Sequence, residues 1–259
     1  MDNVQHKNIF GKLKFIWGTA TDKGKVREEN EDSFHVEPEI GLFIVSDGMG
    51  GHLGGSLASK IVTDDLPVII ETGLDKLRST SQRSVRRLFK KAVGEQSKQL
   101  WLEGCSESGY KDMGATLVMV MFFEERIYIA NLGDSRIDRF RNNKLLQMSK
   151  DHSVVSELIR NGIIDSSEAE THGTQGQITK YIGMETPERP FVRTFILKKS
   201  DRFLLCTDGL TDLVSDNEIA EVLTIYTDPN RVCKTLVEKA NNLGGHDNIT
   251  TVIVDWVGS

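Results

Sequence analysis

Cysteine is scarce in this chain: three among 259 residues, Cys105, Cys206 and Cys233. The number is odd and no Cys-x-x-Cys spacing occurs, which argues against a disulfide framework and a zinc ribbon. None of the three has Arg six residues on, so the arrangement of a cysteine phosphatase is absent too. The three are expected to be small buried hydrophobes in a reducing compartment. Long apolar runs are also lacking. The longest, Leu117 to Phe123, is far too short to span a bilayer. Met1 to Gly18 carries scattered charge and no apolar h-region, so no signal peptide is expected. There is no basic excess: the net charge is -6, against a nucleic-acid binder. The Gly48 to Gly55 tract lacks the Lys-Ser/Thr that a nucleotide loop needs. The expectation is a cytoplasmic, monomeric protein with no nucleic-acid or membrane partner.

What is present is a globular composition, with 38% apolar residues, enough for a real core. After a ragged start over residues 1–12, residues 13–257 read as one domain, since no linker-like tract or repeat divides them. Strands are expected over Lys14 to Thr21, Ser33 to Val36 and Leu42 to Ser46. Ser56 to Ile70 has helical spacing broken by Pro67, and a longer helix is expected from about Asp75 to Glu103, where Val85, Leu88, Phe89, Ala92 and Val93 make one apolar stripe. Strand composition returns over Gly114 to Phe123 and Arg126 to Leu132, turning at Glu124-Glu125. It continues over Arg136 to Phe140 and Leu145 to Met148, turning at Asn142-Asn143. A short helix over Asp151 to Arg160, capped by Asp151 or Ser153, leads into a polar loop. Strands over Phe191 to Leu197 and Arg202 to Thr207 follow. Helices over Asp216 to Ile225 and Pro229 to Asn241 come next, then a last strand over Ile249 to Trp256. This order is not a β-α-β alternation. It predicts an α+β fold: an antiparallel β-sandwich with helices outside.

Four aspartates share one setting, Asp47, Asp134, Asp208 and Asp247. Each adjoins an apolar strand and a glycine-rich turn. Singly, each reads equally as a turn residue or a helix cap. Asp47 and Asp208 together resist that reading, because each follows a fully apolar strand, where an unpartnered carboxylate is costly. Carboxylates from separate strand ends, with no Cys or paired His among them, describe an oxygen-only site suited to Mg²⁺ or Mn²⁺. Arg27 stands alone among acids in Lys25 to Asp32. It is either a surface ion-pair partner of Glu28 or Glu31 or the fork that grips a phosphate. Arg27 and Asp32 serve one site only if the segment between them turns.

Seven motifs in this order resemble the metal-dependent (type 2C) protein phosphatases, in their bacterial serine/threonine branch. They are Arg27-x-x-Asn30-Glu31-Asp32, Asp47-Gly48-Met49-Gly50-Gly51-His52, Gly114-Ala115-Thr116-Leu117, Asn131-Leu132-Gly133-Asp134-Ser135-Arg136, Asp151-His152-Ser153, Leu205-Cys206-Thr207-Asp208-Gly209-Leu210 and Gly245-His246-Asp247-Asn248-Ile249-Thr250. The resemblance implies a four-layer sandwich with helices on both sides and a flap at about 151–183. It implies hydrolysis of phosphoserine and phosphothreonine in proteins phosphorylated by Ser/Thr kinases. It also implies two Mn²⁺ or Mg²⁺ ions, with a hydroxide held between them attacking phosphorus directly. In that scheme Asp47 bridges both ions, Gly48 offers its carbonyl, and Asp208 and Asp247 complete the other shell. Glu31 and Asp32 hold metal-bound water, Arg27 clamps the phosphate, and Asp134 with Asp208 holds a third ion. Met49 stands where animal members have His, which leaves His52 as a candidate general acid beside a metal-bound water. Where relatives carry Arg-Asn before Ile-Thr-Arg, this chain has Gln175-Gly176-Gln177-Ile178-Thr179-Lys180, so flap contacts to substrate are expected to differ. The competing readings are a catalytically silent sensor or adaptor on the same fold, and a sandwich with structural calcium. The second would cluster its carboxylates in one loop.

Overall fold

The computed structural model describes residues 6–7, 14–106, 110, 112–169, 172–198 and 200–258. Numbered along the chain, one sheet runs β1 (His6–Lys7), β2 (Lys14–Asp22), β12 (Ile249–Gly258), β11 (Arg202–Cys206), β8 (Arg136–Arg141), β9 (Lys144–Gln147). The other runs β10 (Phe191–Ile196), β7 (Arg126–Leu132), β6 (Leu117–Phe123), β4 (Leu42–Met49), β3 (Asp32–Glu37), with β5 (Gly114–Ala115) attached to β4. The strand pairs in both are antiparallel.

The uninterrupted apolar strands follow from this layering. In β4, Phe43 and Val45 face the space between the sheets, while Leu42 and Ile44 face outward onto helices. In β6, Val118, Val120 and Phe122 point inward and Leu117, Met119 and Met121 outward. A strand buried on both faces loses the apolar–polar alternation of a half-exposed one. Between the sheets, Phe122 packs on Phe15, Phe43 and Phe203 with ring centroids 5.4, 5.8 and 5.9 Å away.

Helices α1 (Gly51–Asp75) and α2 (Gln82–Ser106) cover the second sheet. Helices α6 (Asp216–Ile225) and α7 (Pro229–Asn242) cover the first. Both of the latter start on strong signals. Ser215 and Glu218 form a capping box on α6, and Asp228 caps α7 ahead of Pro229. The expected four-layer α+β sandwich is therefore the fold. No helix among the described residues is long and apolar enough to cross a membrane.

Several local expectations are corrected. Helix α1 starts at Gly51 and not at Ser56, and it passes through Pro67 to Asp75. An interior proline costs about 3 kcal/mol. Val62, Leu66 and Ile70, all fully buried on one face, hold both halves to the same sheet and outweigh it. The following helix consequently begins at Gln82 and not near Asp75. The strand expected over Gly114 to Phe123 breaks at Thr116, whose side chain and backbone bind Asp47 instead. Cys206 and Cys233 are buried as expected, but Cys105 is exposed at the end of α2. Both turns form as read, with positive φ at Glu124 and Glu125 and at Asn142 and Asn143.

Candidate active site

The sandwich brings one set of strand ends to one edge. In the second sheet Asp47, near the end of β4, lies directly opposite Asp32 at the start of β3. In the first sheet, Asp208 follows β11 and opens the four-residue helix α5 (Asp208–Thr211), while Asp247 lies two residues before β12. Asp134 lies in the turn that carries the chain from β7 in one sheet to β8 in the other.

The backbone around Asp47 is fixed from several sides. Thr116 Oγ1 accepts from Asp47 N at 2.9 Å, Thr116 N donates to Asp47 O at 2.8 Å, and Ser46 Oγ donates to Thr116 O at 2.7 Å. Gly48 must be glycine: a Cβ there would lie 2.0 Å from the carbonyl oxygen of Gly55 and 2.8 Å from that of Glu31. Across the cleft Thr207 Oγ1 donates to Asp32 Oδ2 at 3.0 Å and accepts from Thr250 N at 3.0 Å. The hydroxyl of the Thr207-Asp208 step thus orients the neighbouring sheet's Asp32.

Electrostatically the carboxylates crowd one another. Burial first, then Asp208 and Asp247, push Asp32 up to about 7, against hydrogen bonds from Thr250 and Thr207 that pull it down. Asp208 is pushed up to about 6 by burial, then by Asp212 and Asp247. Asp47 is raised well above the usual carboxylate range by burial and then by Asp32, Asp208 and Asp134. Asp134 is raised likewise by burial and then Asp208. Asp47 and Asp208 keep part of their surface open to the cleft, but protein surrounds the rest. One oxygen each of Asp32, Asp134 and Asp208 is buried without a hydrogen-bond partner.

Orphaned buried carboxylate oxygens, mutual repulsion and an all-oxygen donor set fit a hard divalent cation. As they stand, no three carboxylate, imidazole or thiol groups among the described residues close round one point. Other partners hold them: Thr207 holds Asp32, and Arg27 Nη2 donates to Asp247 Oδ2 at 2.7 Å. Arg27 also sits in the field of Asp47 and Glu31 and stays charged, its pKa raised chiefly by the bond to Asp247. The chain does turn between Arg27 and Asp32, so the exposed guanidinium overhangs the buried carboxylates. A cleft of about 390 Å³ joins them, lined by Arg27, Glu31, Asp47, Gly48, Met49, Gly50, Gly176, Ile178 and Tyr181. A second, of about 470 Å³, lies on the side of Asp134 and Asp208 and is walled by the flap. The side chain of His52 lies outside the described residues. In the flap, Ser153 and not Asp151 caps helix α3 (Val154–Arg160); Asp151 instead accepts from Arg136 and Gln147.

Three contributors were not singled out from the sequence. Asn248 accepts from Glu31 N and donates to the carbonyls of Lys23 and Glu29, clamping the loop that carries Arg27. Thr116 pins Asp47. After burial, the charge of Asp212 acts most strongly on Asp208. Asn248 and Thr116 stand inside recognised motifs, but their partners are remote in sequence. Asp212, on the turn after α5, carries no local signal at all.

The family described as protein phosphatase 2C matches residues 22–242. The chain belongs to that family. A protein phosphatase PhpP of Streptococcus pneumoniae is 35% identical over 238 residues, covering 90% of this chain and 94% of PhpP. The crystal structure of the serine/threonine phosphatase Stp1 from Staphylococcus aureus superposes with a TM-score of 0.84 at 30% identity, over 99% of each chain. The catalytic domain of the serine/threonine protein phosphatase PstP, solved with two manganese ions, superposes with a TM-score of 0.78 at 29% identity, over 95% of this chain and all of that one.

Proposed function

We propose that this member of the family is a divalent-metal-dependent phosphatase that releases phosphate from phosphoserine and phosphothreonine in cytoplasmic proteins. The observation that carries the reading is the convergence of Asp32, Asp47, Asp134 and Asp208 at one strand edge, with buried oxygens unpartnered and Arg27 overhead. In this reading Asp47, the Gly48 carbonyl, Asp208 and Asp247 would hold two Mn²⁺ or Mg²⁺ ions, Glu31 and Asp32 would orient metal-bound water, and Asp134 with Asp208 would hold a third ion. When bound, such ions neutralise phosphate charge and make water acidic enough to lose a proton near neutral pH.

The chain's own residues do the rest. Arg27, on an exposed loop, exchanges Asp247 for two phosphate oxygens, which its planar fork matches. Thr116, Thr207 and Asn248 keep the carboxylates and the Arg27 loop in place. Cysteine chemistry is disfavoured. Burial raises the Cys206 thiol well above its usual range and pushes that of Cys233 up to about 12, so neither offers a thiolate. His52, in the turn of helix after the glycines, stays a candidate proton donor beside a metal-bound water.

The test is phosphate release from a phosphothreonine peptide with added Mn²⁺, beside calorimetric titration of the metal. Asp208→Asn is expected to retain its circular dichroism, bind metal more weakly and lose most of the activity. Full activity in excess chelator, or in a folded Asp208→Asn, would remove the metal-centred mechanism.

A further inference from the structure

Three apolar residues border the Arg27 cleft without any part in gripping phosphate: Met49, Ile178 and Tyr181. A small sheet at the lip of the cleft holds them. Gly48 and Met49 pair with Ala115 and Gly114 of β5. Ala115 in turn exchanges two backbone hydrogen bonds with Ile182, at 2.9 and 2.8 Å. At the other end of the same flap segment, Val154 N donates to Gln177 O at 2.9 Å and Thr179 N to His152 O at 2.7 Å. Residues 177–182 are therefore tied down at both ends, and Tyr181 is presented by fixed backbone rather than by a free loop.

Gly114 gives the ring its seat. A Cβ at that position would lie 2.5 Å from Tyr181 Cδ2 and 2.7 Å from Cε2. Tyr181 is nevertheless not a core aromatic. Phe15 and Phe43 are wholly buried, whereas Tyr181 is half-buried and also borders a second cavity, of about 330 Å³, with Trp101 and Met113. It is a partition between two open volumes, held by a glycine that any side chain would spoil.

We propose that Met49, Ile178 and Tyr181 form a specificity subsite that takes a bulky apolar side chain next to the phosphorylated residue of the substrate. This rests on the phosphatase reading of the cleft. Among the lining residues charge is confined to Arg27, which grips the phosphate, and to Glu31 and Asp47, which serve the metals and their water, and the apolar residues border the same cleft. A peptide that seats its phosphate on Arg27 lays a flanking side chain against this wall. Apolar side chains gain there by leaving water, while charged ones lose hydration without an ion partner.

The experiment uses phosphothreonine peptides identical except for Leu, Ala or Asp at the positions on either side, with steady-state rates measured in Mn²⁺. On one side, Leu is expected to lower KM about tenfold relative to Ala, the scale of burying much of a leucine side chain, with kcat changing little. Tyr181→Ala erases the Leu-over-Ala ratio and Tyr181→Phe keeps it. Ile178→Ser, expected to shrink the ratio, serves as the second variant should Tyr181→Ala fail to fold. Equal KM for Leu and Ala peptides in the wild type, or a ratio unchanged in Tyr181→Ala or Ile178→Ser, overturns the subsite and leaves the phosphatase reading standing. No phosphate release from any peptide by the wild type overturns both.

Discussion

Asn248 is the residue whose removal tests how the site is assembled. It is 4% exposed and joins two distant stretches of chain. Its Oδ1 accepts from Glu31 N at 2.8 Å, and its Nδ2 donates to Lys23 O and Glu29 O, each at 2.9 Å. Arg27 sits between those anchors. Asn248→Ala deletes three hydrogen bonds worth about 1 kcal/mol each. The carbonyls of Lys23 and Glu29 belong to exposed residues and regain water once freed, so the net loss is about 2–3 kcal/mol. For a chain of this size that lowers Tm by roughly 5–10 °C. Urea denaturation read by fluorescence gives the energy, and amide exchange at Glu31 gives the place. Because the loosened loop carries Arg27, the proposed phosphate fork, KM for a phosphopeptide is expected to rise more than kcat falls. A variant within 0.5 kcal/mol of wild type, with Glu31 as slow to exchange as before, would refute the clamp.

Other expectations follow from the same geometry. Asp138 is buried, and its carboxyl is pushed up to about 7 by burial, against Arg136, with Asp216 and Asp151 adding to the rise. The folded state therefore holds a proton that the unfolded state releases near pH 4, and stability falls as pH rises from about 4 through 7. Asp138→Asn removes that slope, by at most about 4 kcal/mol between the two limits; equal slopes for both proteins in urea melts across that range would contradict it. Gly48→Ala drives a Cβ to 2.0 Å from Gly55 O and separates β4 from α1. It is expected to cost more than about 2 kcal/mol and to weaken Mn²⁺ binding by calorimetry. Arg141 donates from Nη2 to Asp201 Oδ2 at 2.6 Å, and the Asp201 side chain is 1% exposed. Arg141→Ala leaves that charge buried and unpaired, an expected loss of about 3–5 kcal/mol, whereas an Arg141→Ala, Asp201→Asn pair recovers part of it in the same melts.

Much of the fold was legible because its signals are local. The apolar runs of β4 and β6, the apolar stripe of α2 and the Asn142-Asn143 turn each act over a few residues. Pro67 misled for the opposite reason. Its local penalty is real, but the buried face of Val62, Leu66 and Ile70 is decided by a sheet built from elsewhere in the chain. The short helix α5 escaped for a related reason, since four residues carry no periodicity.

The sequence by itself determined the chemistry on offer: carboxylates at the ends of apolar strands beside glycines, an arginine among acids, and no cysteine with the spacing of a cysteine phosphatase. Those are properties of residue type and short spacing. The tertiary structure alone decided that β3, β4, β7, β11 and β12 deliver Asp32, Asp47, Asp134, Asp208 and Asp247 to one edge. It also decided that Thr116, Thr207 and Asn248 hold them there, and that Tyr181, seated on Gly114, lines the same cleft as Arg27. Those partners lie tens to hundreds of residues apart. A hydrogen bond or a van der Waals seat depends on distance in space, and only the packing of two sheets fixes it.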